Sequence, residues 1–225
     1  MKKIALIEDR YSRQKDFLEL NNINLAKYED IGILDNFIQD KANTLLKEIK
    51  SDSFDLQQYD IIICHKSIEL KDKIDTNTII IDKLTSYCKE QEKILVLFSG
   101  GIDANYYKEN YLELNSQVFY SQNLKLFFEA VKNEDENILM LSYGLKWKIN
   151  ILLNILEKIN NYIENTNKES DRYKRFSKDC KINLLDSLNL NITKPQIDGQ
   201  NISVSEMMKY RDNIYANIKK SVTYE

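Results

Sequence analysis

Tyr59-Asp60-Ile61-Ile62-Ile63-Cys64-His65-Lys66-Ser67 is a short run of β-branched and apolar residues closed on both sides by polar ones. Nothing between Ile61 and Cys64 asks for water on either face, so the run reads as a strand buried on both sides, at the centre of a parallel sheet. In an open parallel sheet, chemistry gathers outside the carboxyl ends of the strands. The side chains that decide function are therefore expected near Cys64, His65 and Lys66.

Upstream, Lys3 to Ile7 is a second apolar strand and ends in Glu8-Asp9, after which Tyr11 to Leu20 carries Gln14, Phe17 and Leu18 at helical spacing. Ile23 to Tyr28 reads as a strand. Asp35 to Ile49 is an amphipathic helix, with Phe37, Ile38, Ala42, Leu45, Leu46 and Ile49 on one face. Downstream, a helix begins near Thr76 and carries Ile79, Ile80, Leu84 and Tyr87, and the strand Lys93 to Phe98 stops at Ser99-Gly100-Gly101. The spacing then predicts a short tyrosine-rich helix from Asp103 to Leu114, a brief strand from Gln117 to Tyr120, and a helix from Asn123 to Val131 with Leu124, Phe127, Phe128 and Val131 inward. Strands alternating with helices require right-handed crossovers. The expected fold is α/β, a doubly wound, flavodoxin-like parallel sheet of about five strands over residues 1–132.

The acidic run Asn133-Glu134-Asp135-Glu136 ends this alternation, and residues 133–225 read as an α-helical extension. Ile138 to Asn165 is predicted as one long helix whose Leu145, Ile149, Leu152, Leu156, Ile159 and Ile163 recur at alternating four and three, with Ile151, Ile155 and Tyr162 widening the stripe. Such a seam wants a partner helix, from this chain or from a second copy in a coiled-coil dimer. Lys168 to Leu190 is a more polar helix, in one piece or two. Thr193 to Asn201 holds Pro195 and Gly199 and reads as a loop. Ser203-Val204-Ser205-Glu206 has capping-box spacing and opens a last helix with Met207, Ile214, Ile218 and Val222 inward.

The 225 residues carry 32 Lys and Arg against 35 Asp and Glu, interleaved, for a net charge of -3. No global basic excess announces nucleic acid. Arg172, Lys174, Arg175, Lys178 and Lys181 are interspersed with Asp171 and Asp179, the pattern of a solvated helix face. Carboxylates interrupt the N-terminal apolar run too early for a signal peptide, and no segment is apolar for long enough to span a bilayer, so a cytoplasmic protein is expected. Cys64, Cys88 and Cys180 are isolated and read as buried, inert thiols rather than a disulfide or metal framework. His65 is the only histidine, which excludes histidine-pair metal sites and most catalytic triads within one chain.

The acidic pair Glu8-Asp9 after the first strand, a central strand introduced by Asp60, a strand ending in Ser99-Gly100, and a last short strand leading into an apolar helix together resemble the receiver domain of two-component response regulators. In that family the acidic pair holds Mg²⁺, an aspartate ending the third strand accepts a phosphoryl group, a hydroxyl senses it, and a lysine before a proline on the fifth strand pairs with it. The resemblance implies Glu8 and Asp9 as the metal pair and Ser99 as the sensing hydroxyl. The phosphoacceptor position falls on His65, and the Lys-Pro position falls around Tyr120 and Ser121. The acceptor must be a carboxylate bound to the metal and the lysine must supply a cation, and an imidazole and a phenol do neither. The resemblance thus implies a receiver that has lost phosphorylation, with at most weak Mg²⁺ binding at Glu8 and Asp9.

Ser99-Gly100-Gly101-Ile102-Asp103 resembles the pyrophosphate-binding loop of the ATP pyrophosphatase family, although Ala104 stands where that family has a second serine. This gives an alternative, a nucleotide-binding protein; a DNA-binding regulator is a second. The cluster Tyr106, Tyr107, Tyr111, Phe119 and Tyr120 falls where receivers make protein contacts, and exposed tyrosines suit an interface. The expectation is a non-catalytic regulatory or scaffolding protein that binds a protein partner or a second copy, without membrane and without nucleic acid.

Overall fold

The central run forms β3 (Ile61–His65), between β1 (Ile4–Ile7) and β4 (Ile94–Ser99), and every residue of β1 and β3 is buried. The computed structural model describes residues 1–35, 39–68, 76–103, 106–108, 110–165, 172–180, 182, 185, 190, 192–196, 198 and 201–223. They fall into two units, Met1–Leu145 and Lys146–Glu225. The division lies beyond the acidic run at Asn133, where the sequence pattern had placed it.

In the first unit β2 (Leu34–Asp35) pairs beyond β1, β6 (Tyr111–Asn115) pairs beyond β4, and β5 (Tyr106–Lys108) closes the edge, giving the six-stranded order β2-β1-β3-β4-β6-β5. All pairings are parallel except β5 with β6. Without β5 this is the strand order of flavodoxin-like sheets. Period-two alternation divides the core between two faces. Ala5, Ile7, Ile62, Cys64, Leu95 and Leu97 pack with Leu46 and Ile49 of α2 (Gln39–Lys50) and with Ile80, Leu84 and Cys88 of α3 (Thr76–Glu90). The opposite face meets α1 (Tyr11–Leu20) and, after α4 (Ser116–Phe119), α5 (Gln122–Lys132). There Phe98 stacks on Phe119 at 4.1 Å and Tyr120 stacks on Phe17 at 5.2 Å. Each fully buried Ile, Leu or Phe contributes about 1.5–3 kcal/mol of transfer free energy, so this double-sided burial is a main stabilising contribution to the sheet.

Several expectations are corrected. Ile23 to Tyr28 is no strand: Leu25–Ile31 is a 3-10 helix capped by Asn24, whose side chain accepts from the Ala26 N–H, and β2 follows Gly32. Ile79 is exposed while Ile80 and Leu84 carry the buried face of α3. Tyr106 and Tyr111 lie in a β-hairpin, not a helix, because Leu112 and Leu114 alternate with Tyr111, Glu113 and Asn115 and are fully buried. Gln117 to Tyr120 is no strand. Asn115 accepts from the Gln117 N–H and caps α4 there. The helix predicted from Ile138 to Asn165 is broken into α6 (Met140–Tyr143) and α7 (Trp147–Glu164). The break is at Gly144, whose φ of +72° disfavours any L side chain and where a Cβ would meet Asn123 Oδ1 at 3.1 Å.

The described helices of the second unit are α7, α8 (Arg172–Asp179) and α9 (Val204–Thr223). The α7 face that is buried is Ile151, Leu152, Ile155 and Ile159, and α7 packs against α9, which buries Met207, Tyr210, Ile214 and Ile218. Of the predicted seam, Leu152 and Ile159 are therefore inward, Ile149, Leu156 and Ile163 are half-buried, and Leu145 lies outside the helix, 59% exposed. The Leu145 position is a correction that follows from the Gly144 break. Phe176 of α8 sits edge-on to both Tyr162 and Tyr210. Ser203 accepts from the Glu206 N–H as the capping spacing predicts, while the Glu206 carboxylate accepts from the Gln196 N–H. Val222 and the Lys181, Arg172, Lys174 and Asp171 side chains fall outside the described residues.

Candidate functional site

Parallel pairing brings the carboxyl ends of β1, β3 and β4 side by side, with Ile7 opposite Cys64 and His65 opposite Phe98. Glu8 and Asp9 leave β1 there, His65 ends β3, and all three are at most 4% exposed. His65 Nδ1 and Asp9 Oδ1 are 2.8 Å apart. Arg13, one turn into α1, donates to Glu8 Oε1 at 2.6 Å and stands 3.6 Å from Asp9 Oδ1. The Arg10 N–H donates to the same Glu8 oxygen at 3.1 Å. The Tyr120 hydroxyl, whose ring stacks on Phe17 of α1, donates to Glu8 Oε2 at 2.9 Å. Two carboxylates are thus held by one guanidinium, one imidazole, one phenol and one main-chain N–H.

Burial pushes the Glu8 carboxyl above its ordinary value, against the pull of Arg13 and His65. Burial works the same way on Asp9, but hydrogen bonds from His65 and Glu8 outweigh it and hold Asp9 below its ordinary value. Two like groups in one site are thus pushed apart, Glu8 up and Asp9 down. Burial and the neighbouring Glu8 also push the Tyr120 hydroxyl well up, so it stays a donor. The ring of His65 lies 5.3 Å from that of Phe98, and its Nε2, like Gln14 Nε2, is buried without a hydrogen-bond partner among the described residues.

Of the residues singled out in the sequence, Glu8, Asp9, His65 and Tyr120 come together. Ser99 does not join them: its hydroxyl pairs with Ser67 Oγ at 2.8 Å. Tyr120 arrives from the turn after α4 and not from a strand end. The fifth parallel strand, β6, ends at Asn115, whose side chain donates to the carbonyls of Gly100 and Ile102. The Ser99–Asp103 loop leads towards β5, so no helix N-terminus follows it among the described residues, and Gly100 and Gly101 face open space. Tyr106 is exposed and lies 5.8 Å from Tyr111, while Tyr107 is half-buried and stacks on Tyr143. Phe119 is wholly buried. Arg13 is the member that the sequence reading missed. Its signal was the i,i+4 spacing from Asp9 at a helix start.

Among the described residues, the group that could hold a metal is Glu8, Asp9 and His65, whose donor atoms lie within 4.8 Å of one another. The set mixes two hard oxygens with an imidazole, which suits Mn²⁺ or Zn²⁺ better than Mg²⁺. Those donors already hold Arg13, Tyr120 and the Arg10 N–H, so a cation has to displace the guanidinium first.

Comparison of the chain with known protein families, with curated proteins and with solved structures finds no match.

Proposed function

We propose that this chain is a receiver-like regulatory or scaffolding protein that works through protein contacts and has no phosphorylated state. The observation that carries the reading is the filling of the carboxyl-end pocket. Where a receiver would hold Mg²⁺, Arg13 contacts both carboxylates. Where it would present an aspartate, His65 is 1% exposed, with Nδ1 on Asp9 and Nε2 enclosed, so neither nitrogen meets a phosphodonor. The pocket's charges are satisfied internally, which is how a structural centre is built. The protein's contact surface is the helical extension, where Leu153, Met208 and Tyr215 are exposed on α7 and α9.

The test is intact-mass analysis after incubation with acetyl phosphate and Mg²⁺. No mass gain is expected, and addition of one phosphoryl group overturns the proposal. Light scattering on the full chain then separates self-association from a need for another protein.

A further inference from the structure

We infer that the cavity between the end of α3 and the β5–β6 hairpin binds a small planar organic acid. The cavity encloses about 530 Å³, within the range of small-molecule sites. It opens on the α3 face of the sheet near the amino end of β4, apart from Glu8, Asp9 and His65, and the inference stands whether or not the receiver-like reading does. Its floor is apolar, with Cys88 and Leu95 each 2% exposed. Its wall is a pair of rings, Tyr106 and Tyr111, set edge-to-face at 71°. Tyr106, 51% exposed, stands at the mouth.

The polar groups around this cavity are nearly all satisfied within the chain. Thr85 Oγ1 donates to the Ile81 carbonyl at 2.7 Å, and Asn110 Nδ2 to the Lys93 carbonyl at 2.7 Å. Lys93 Nζ donates to the carbonyls of Gln57 and Tyr59. The Glu113 carboxylate accepts from Lys66 at 2.8 and 2.9 Å and from the Tyr111 hydroxyl at 2.5 Å, so its charge is neutralised. Lys89, in the last turn of α3, lines the cavity and has no partner among the described residues. Lys89 apart, the donors lining the cavity are engaged within the chain, so a sugar or other polyol would bury more hydroxyls than the site can pair, and buried unpaired hydroxyls are costly. What fits is a flat apolar body against Leu95 and Cys88, flanked by the two tyrosines, carrying one carboxylate to Lys89. No covalent step is involved, since burial pushes the Cys88 thiol up to about 12.

The probes are 1-naphthoate and its uncharged analogue 1-naphthamide, titrated into the full chain by calorimetry. Saturable one-to-one binding is expected, with the acid tighter by roughly fivefold, and with that advantage gone in Lys89→Met. Tyr106→Ala, at an exposed position that leaves the core intact, is expected to weaken both probes by about fivefold. The inference is overturned if neither probe saturates, or if naphthoate binds Lys89→Met and Tyr106→Ala as tightly as the unaltered chain.

Discussion

Arg13 decides the state of the carboxyl-end pocket, because its side chain alone in the cluster reaches solvent, 20% exposed against 0% for Glu8 and Asp9 and 2% for His65. Arg13→Met leaves two buried carboxylates without their main cation, at an expected cost of about 3–5 kcal/mol in urea unfolding. Part of that loss is expected to return with millimolar Mn²⁺ in the variant and not in the unaltered chain. An equal response of both to Mn²⁺ would mean that Arg13 is not the resident cation. Tyr120→Phe keeps the stacking on Phe17 and removes only the donor to Glu8, so about 1–3 kcal/mol should be lost. The two carboxyls respond to pH with opposite signs. Asp9 is held below 3.8, so its share of stability is present above that value and is lost as pH falls through its folded value. Glu8 is raised above 4.5, so its share is full below 4.5 and is lost as pH rises through its folded value. Glu8→Gln should therefore flatten the decline of stability above pH 4.5 by up to about 1.4 kcal/mol per pH unit, read from unfolding curves across that range. At this scale the sequence showed which carboxylates and which histidine would meet, since each ends a buried strand. It did not show Arg13, because its charge looks like any other helix-surface charge until β1 and β3 set the carboxylates beneath it.

The elements that were legible are those whose own residues carry the whole signal. β1, β3 and β4 are unbroken apolar runs, and α5 repeats Leu124, Phe127, Phe128 and Val131 at helical spacing. β2 was not legible, because two residues, Leu34 and Asp35, are held only by the register of Ala5 and Leu6 beside them. The β5–β6 hairpin was misread because Tyr107, Tyr111 and Leu114 also sit at spacings of four and three; the alternation of Leu112 and Leu114 was the better signal. The α6–α7 break was visible in principle as Gly144 inside an apolar stripe, a residue that long helices avoid. Gly144→Ala is expected to cost about 1–2 kcal/mol through its positive φ and the approach to Asn123, measured by urea unfolding; an unchanged midpoint would remove Gly144 as the cause of the break. Ser203→Ala, which deletes the cap of α9, should cost about 1 kcal/mol.

At the scale of the whole molecule, the first unit is cored by the two faces of its sheet and the second by α7, α8 and α9. Phe176→Ala is expected to cost the second unit about 3–5 kcal/mol, because it empties the space between Tyr162 and Tyr210. The lone tryptophan, Trp147, opens α7 and gives that helix an emission probe. The three thiols extend this. Cys64 and Cys88 lie in the first unit and Cys180 in the second, all free and buried, with Cys88 and Cys180 each pushed up to about 12 by burial. Cys88 faces the cavity beside α3, whereas Cys64 and Cys180 are wholly enclosed and react only when their surroundings open. A thiol reagent followed by peptide mapping therefore reads two internal clocks on one chain, and the ratio of the Cys64 to the Cys180 rate measures how far either half opens without the other.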